Sequence, residues 1–94
     1  MSNVVTNAPE LSRYEIRVDG ELGGMIEYSL DEPAGVIEFK HTIVLPSHRG
    51  QGLGGELVEQ ALADVRAAGL RVVPSCPFAA SWIRDHPEVA DLVA

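Results

Sequence analysis

Tyr14, Ile16 and Val18 alternate with Glu15, Arg17 and Asp19, the period-two pattern of a strand with one buried face. Asp19-Gly20 then supplies the chemistry of a tight hairpin turn, and Leu22 to Leu30 reads as the returning strand. A second turn over Asp31-Glu32-Pro33-Ala34-Gly35 leads into Val36 to Leu45, a long run rich in β-branched residues that Pro46 stops. Beyond Gly52 the period changes. Leu53, Leu57, Val58, Ala61, Leu62 and Val65 share one helical stripe, Glu56, Glu59 and Asp64 lie on the other face, and Gly69 closes the helix. Leu70 to Pro74 is short and apolar, and after a crossover helix it is expected to lie parallel to Val36–Leu45 in a right-handed β-α-β unit. Ala79 to Asp85 predicts a short helix, with Trp82, Ile83 and the preceding Phe78 in the core. Asp85-His86-Pro87 interrupts it, His86 capping its end at the surface, before a last turn or two over Glu88 to Val93. Met1 to Ser12 has no periodicity and reads as a flexible lead-in. The expectation is an α/β domain over residues 13–94: a three-stranded antiparallel meander, a crossover helix, a parallel strand and a C-terminal helix.

Ninety-four residues, 46% of them hydrophobic, suffice for one domain with a modest core, so any site must be economical. The apolar runs are too short to span a bilayer, and the first nine residues lack the basic and apolar regions of an export signal, so a cytoplasmic protein is expected. One cysteine makes no intrachain disulfide, which fits a reducing compartment. A formal charge of −7, spread along the chain, disfavours nonspecific nucleic-acid binding. Acidic surfaces mostly serve solubility, although such a rim also suits a cationic acceptor. No metal is expected, because His41, His48 and His86 have no ligand spacing with Cys76.

The densest chemical signal is Arg49-Gly50-Gln51-Gly52-Leu53-Gly54-Gly55, placed between the long strand and the helix. Free amides at a helix start carry the positive end of the macrodipole, and glycines let a ligand approach them. A phosphate is the natural guest, with Arg49 and His48 as side-chain donors; for His48 a purely structural role stands equally open. A nucleotide-triphosphate loop would need Lys and Ser or Thr after its last glycine, where Glu56 and Leu57 stand. Read from Gly52-Leu53-Gly54, a dinucleotide fingerprint would need a glycine where Leu57 stands, and the chain is too short for two mononucleotide halves.

Arg49, Gly52 and Gly54 form an Arg-x-x-Gly-x-Gly pattern that resembles the acetyl-CoA pyrophosphate loop of the GNAT acetyltransferase superfamily. Taken with His41-Thr42-Ile43-Val44-Leu45-Pro46 and Val72-Val73-Pro74-Ser75-Cys76-Pro77-Phe78, the last two thirds of the chain look like the minimal, single-domain subfamily. The resemblance implies acetyl-CoA as cosubstrate, with its pyrophosphate on residues 48–55. It also implies that the pantetheine arm bonds to the backbone of Ile43, Val44 and Leu45 in a wedge between two splayed parallel strands. The activity implied is acetyl transfer to a primary amine of unidentified identity, small molecule or peptide; the different-class alternative is a CoA or acyl-CoA binding module without chemistry. Oligomeric state stays open.

Two side chains are candidates for the chemistry. Read by residue type, Cys76 is either a small buried hydrophobe or a nucleophile or proton donor; the resemblance implies a catalytic role at the acyl end of the wedge, where the following helix offers no tyrosine. His41, on the long strand and ahead of a bulge expected there, is either a satisfied strand histidine or a general base for an ammonium.

Overall fold

Asp19 and Gly20 both take positive φ, 50° and 86°, the left-handed pair that a two-residue hairpin of the I′ kind requires. The hairpin so closed joins Arg13–Val18 to Glu21–Asp31, and it sits inside a larger sheet. The computed structural model describes residues 2–94. Its strands are β1 (Asn3–Ala8), β2 (Arg13–Val18), β3 (Glu21–Asp31), β4 (Val36–Val44) and β5 (Arg71–Pro74), with helix α1 (Leu53–Ala67) between the last two and α2 (Pro77–Arg84) after them. Short 3-10 turns at Pro9–Leu11, Pro46–His48 and Pro87–Leu92 each begin with proline, whose fixed φ and missing N–H suit a first helical position.

The strands lie in sequence order. β1 to β4 are antiparallel and β5 pairs parallel to β4, as the crossover helix demands. The expected three-stranded meander therefore has a fourth member. Asn3–Ala8, read above as part of a flexible lead-in, pairs with Val18 to Arg13 in unbroken register. Its neutral residues gave no alternation, because polarity does not follow the two faces: on the inner side Val5 packs against the core and polar Asn7 accepts a 2.7 Å hydrogen bond from the Tyr28 hydroxyl, while apolar Val4 stands 50% exposed on the other.

α1 lays Leu53, Leu57, Val58, Ala61, Leu62 and Val65 on the sheet's inner face against Ile16, Ile26 and Phe39. Each fully buried Leu or Val contributes about 1.5–3 kcal/mol of transfer free energy, which gives the helix its stability in a chain this short. Gly69 ends it at φ 72°. α2 and the last 3-10 turn cover the same face. Ile83 is buried and Trp82 half-buried, but Phe78, expected in the core, is 46% exposed: it stands in the first turn of α2 and lies over α1 at Gly54, with solvent beyond.

Candidate active site at the open end of β4 and β5

β5 runs beside β4 only from Val36↔Arg71 to Phe39↔Pro74. Proline cannot extend the ladder, and the chain turns away after one more bond, the Cys76 N–H donating to the Phe39 carbonyl at 3.0 Å. From Lys40 onward β4 has no strand on that side. A register shift falls at the same point: Glu27 faces His41 and Tyr28 faces Phe39, so Lys40 is an extra, unpaired residue. The bulge thus lies one residue ahead of His41, where the reverse order was expected.

The open end is capped by Cys76. Its thiol is 5% exposed and sits 3.3 Å from the Thr42 hydroxyl oxygen. Burial pushes the thiol pKa up. The hydrogen bond shared with the Thr42 hydroxyl, to which the protonated thiol donates and from which the thiolate can accept, and the backbone of Ala79, Phe78 and Thr42 together outweigh burial and leave it below the ordinary value. Cys76 is the residue before α2, although its sulfur makes no cap bond of regular geometry with the helix amides. Thiolates gain from such a helix start. Thr42 is the partner that sequence reasoning passed over; the signal was its place beside His41 on the strand, but only the return of β5 and α2 brings Cys76 to it.

Consecutive strand side chains alternate between faces, so with Thr42 turned to Cys76, His41 turns to the other face of the sheet. There it is exposed, directly across from Glu27. The structure therefore unites Cys76 with Thr42 and separates both from His41. Ile43 shares the outer face with His41, while Val44 lies half-buried on the inner face. Because the Leu45 N–H points to β3, alternation turns the Val44 amide to the open side. Leu45 instead donates its N–H to Gly23 at 2.9 Å and is used within the sheet.

At the start of α1 the glycines divide by task. Gly50 and Gly52 have φ of 80° and 75°, and a Cβ on either would meet nothing within 4 Å. Gly52 precedes the helix, and the first bond runs from the Glu56 N–H to the Gly52 carbonyl at 3.3 Å. The amides of Leu53, Gly54 and Gly55 come before it and are available to an anion. Gly54 and Gly55 have a second reason to lack side chains: a Cβ on Gly54 would come 2.8 Å from the Phe78 ring, and one on Gly55 3.5 Å from the Trp82 indole nitrogen. These two glycines seat α2 on α1.

Arg49 and Gln51 are exposed, and among the described residues Arg49 makes no ion pair. His48 differs. It is buried, with Nε2 3.3 Å from a Glu21 carboxylate oxygen and Nδ1 3.0 Å from the Ser47 hydroxyl, so both ring nitrogens already have partners. Glu56, the acid of the first helical turn, accepts a 3.0 Å hydrogen bond from the Asn3 amide, which holds its charge toward β1. An open, donor-rich cradle with one free guanidinium beside it fits a pyrophosphate; the apolar edge beyond fits a thioester arm. Among the described residues no cluster of His, Cys, Asp or Glu could hold a metal, and no helix is long and apolar enough to cross a membrane.

A five-stranded sheet with helices on one face, strands parting at a bulge, and a glycine loop opening the following helix define the class to which comparison then gives a name. The family model described as GCN5-related N-acetyl-transferase matches residues 13–92: the chain belongs to this family. Among curated proteins none matches. Solved structures share the fold. A GCN5-like protein from Staphylococcus aureus aligns over 100% of this chain and 91% of its own at 24% identity, with a TM-score of 0.72. The ribosomal-protein-alanine N-acetyltransferase of Brucella melitensis aligns over 78% of this chain and 60% of its own at 22% identity and TM-score 0.60. N-acetylglutamate synthase of Neisseria gonorrhoeae, solved with coenzyme A and N-acetyl-glutamate, aligns over 74% of this chain but 18% of its own at 18% identity and TM-score 0.55.

Proposed function

We propose that this chain transfers an acetyl group from acetyl-CoA to a primary amine, as a minimal single-domain member of its family acting in the cytoplasm. The observation that carries the proposal is the Cys76 thiol, held by hydrogen bonds that lower its pKa at the one place where β4 and β5 part. The cosubstrate supplies an activated thioester. The Leu53, Gly54 and Gly55 amides, with Arg49, hold its pyrophosphate, Gly50, Gln51 and Gly52 form the cradle wall, and the Val44 backbone, flanked by Ile43 and Leu45, lines the arm. His48 contributes by fixing the loop through Glu21 and Ser47.

In the proposed chemistry the Cys76 thiolate attacks the acetyl carbonyl, the new C–S bond forms as the old one breaks, and the departing thiolate takes a proton from water. The acceptor amine, having lost its ammonium proton, then attacks the acetylated Cys76. A C–N bond forms as the C–S bond to Cys76 breaks, the second proton passes from the nitrogen to water, and the Cys76 thiolate is restored. Thr42 serves as donor to the sulfur when it is charged. His41 is proposed as the base for an acceptor that approaches the outer face, across from Glu27; its replacement by Gln should then cost about 100-fold in turnover. The exposed position of His41, away from Cys76, is also what supports the second reading, a CoA-binding module without efficient chemistry.

Mass spectrometry separates the readings. Incubation with acetyl-CoA and no acceptor should leave an acetyl adduct on Cys76, absent from Cys76→Ala, and a panel of amines, polyamines and peptides should discharge it. Retained CoA without adduct or turnover would favour the binding module. Turnover without an adduct, with only a modest loss in folded Cys76→Ala, would make Cys76 the proton donor of a direct transfer.

A further inference from the structure

The two edges of the sheet are finished differently. At the β5 edge the strand is four residues long, contains Arg71 and Pro74, and is covered at Val72 by Val93 and by a 2.9 Å bond from the Ala94 N–H. β1, at the opposite edge, is six residues long and regular in register, and its sequence Asn-Val-Val-Thr-Asn-Ala contains no charge, no proline and no bulge. Strand edges are ordinarily blunted by one of those three devices. An unguarded stretch is the more notable in a chain that is 22% charged.

The backbone direction is fixed by one bond. The Asp19 N–H donates to the Ser2 carbonyl at 2.8 Å, which makes Ser2↔Asp19 a hydrogen-bonded pair. Alternation then turns residues 4, 6 and 8 toward β2 and leaves the N–H and C=O groups of Asn3, Val5 and Asn7 pointing outward. From this geometry we infer that β1 is a homodimer interface, pairing antiparallel with β1 of a second copy about a two-fold axis at Val5. In that register Asn3 meets the partner's Asn7, Val5 meets the partner's Val5, and each pair exchanges both of its backbone bonds. Val4, 50% exposed on the outer face, meets the partner's Thr6, and no two like charges are brought together. Pro9 and its 3-10 turn end the strand, so the pairing spans the five residues from Asn3 to Asn7 of each copy.

The adjoining surface leaves room for the second protomer. A groove of about 340 Å³ runs between β1 and α1, lined by Val5, Asn7, Tyr14, Asp64 and the exposed Ala63 and Ala67; the alanines bring no bulk to the axis, and the Asp64 carboxylate is held inward by the Tyr14 hydroxyl. A foreign extended peptide would need side-chain pockets to set its register, whereas the copy's own strand sets it by symmetry. The remaining surface works against association, because each protomer carries −7. Dimerisation should therefore tighten as salt screens that repulsion.

Sedimentation velocity over a concentration series, at low and moderate ionic strength, tests the inference on the full chain. The expected result is a monomer–dimer equilibrium that strengthens with salt. The double variant Val4→Lys, Thr6→Lys places like charges opposite each other across the axis, at two positions exposed in the monomer, and should weaken dimerisation on the order of tenfold or more with an unchanged circular dichroism spectrum. Hydrogen exchange should show the Asn3, Val5 and Asn7 amides protected in concentrated wild-type samples and unprotected in dilute samples or the variant. A wild-type chain that stays monomeric at millimolar concentration, or a dimer that persists undiminished in the folded lysine variant, would overturn the inference. These readouts are independent of acetyl transfer, so the two proposals stand or fall separately.

Discussion

Cys76 and Thr42 illustrate how a reactive group is tuned by neighbours far away in sequence. Burial alone would hold the thiol protonated, and the hydrogen bonds that favour the charged form reverse the balance. Thr42→Val keeps the shape and removes the hydroxyl donor, so the Cys76 titration should move to higher pH, read from the Cβ chemical shift of the chain's single cysteine. An unchanged midpoint would assign the lowering to the backbone donors instead. A second residue-scale test concerns Tyr14. Its hydroxyl donates to the Asp64 carboxylate at 2.6 Å, and burial followed by that bond raises its pKa, so it is a phenol throughout the working pH range. Tyr14→Phe should cost about 1 kcal/mol in chemical denaturation, because exposed Asp64 regains water once the bond is lost.

At the scale of elements, the junction of β4 and α1 joins two demands that the glycine run showed only as one. Gly50 and Gly52 answer to backbone conformation, Gly54 and Gly55 to the approach of Phe78 and Trp82. Gly52→Ala forces a side chain into the left-handed region and should cost about 1–2 kcal/mol of stability, with weaker CoA binding by calorimetry as the loop shifts. Gly54→Val instead drives a branched side chain into the Phe78 ring. Its signature should be a displaced α2, seen as changed Trp82 fluorescence, and Phe78→Ala in the same chain should restore the spectrum by vacating the space. If both glycine variants bind CoA as the wild type does, the cradle is not the pyrophosphate site.

The molecule as a whole has helices on one face of its sheet and side chains alone on the other. On that outer face Glu15 is buried between Arg13 and Arg17, at 2.7 and 3.1 Å. The hydrogen bond from Arg13 is the largest cause of its lowered pKa, with burial opposing and Arg17 adding. A depressed carboxylate stabilises the fold above its unfolded value, near 4.5, and that contribution is lost as pH falls through the lower folded value. Glu15→Gln should therefore lower the melting temperature at neutral pH and flatten its decline in acid; parallel curves for variant and wild type would remove Glu15 from the acid limb.

Much of this architecture was legible in the chain. Period-two alternation in β2, the Asp19-Gly20 turn, the β-branched run of β4 and the apolar stripe of α1 are each local signals, set by side chains within a few residues of one another, and the element order with its parallel last strand follows from them. The glycine loop at the start of α1, with its unbonded amides, was legible for the same reason, since its residues are contiguous. What required the folded molecule was everything decided by distant partners. β1 is a strand because β2 offers it a ladder, Phe78 is exposed because α2 begins at the rim of α1, and His48 is occupied because Glu21 lies across from it. Cys76 meets Thr42 and misses His41 because adjacent strand residues face opposite ways, and which of the two faces the wedge is fixed only when the β4 bulge, β5 and α2 come together in space.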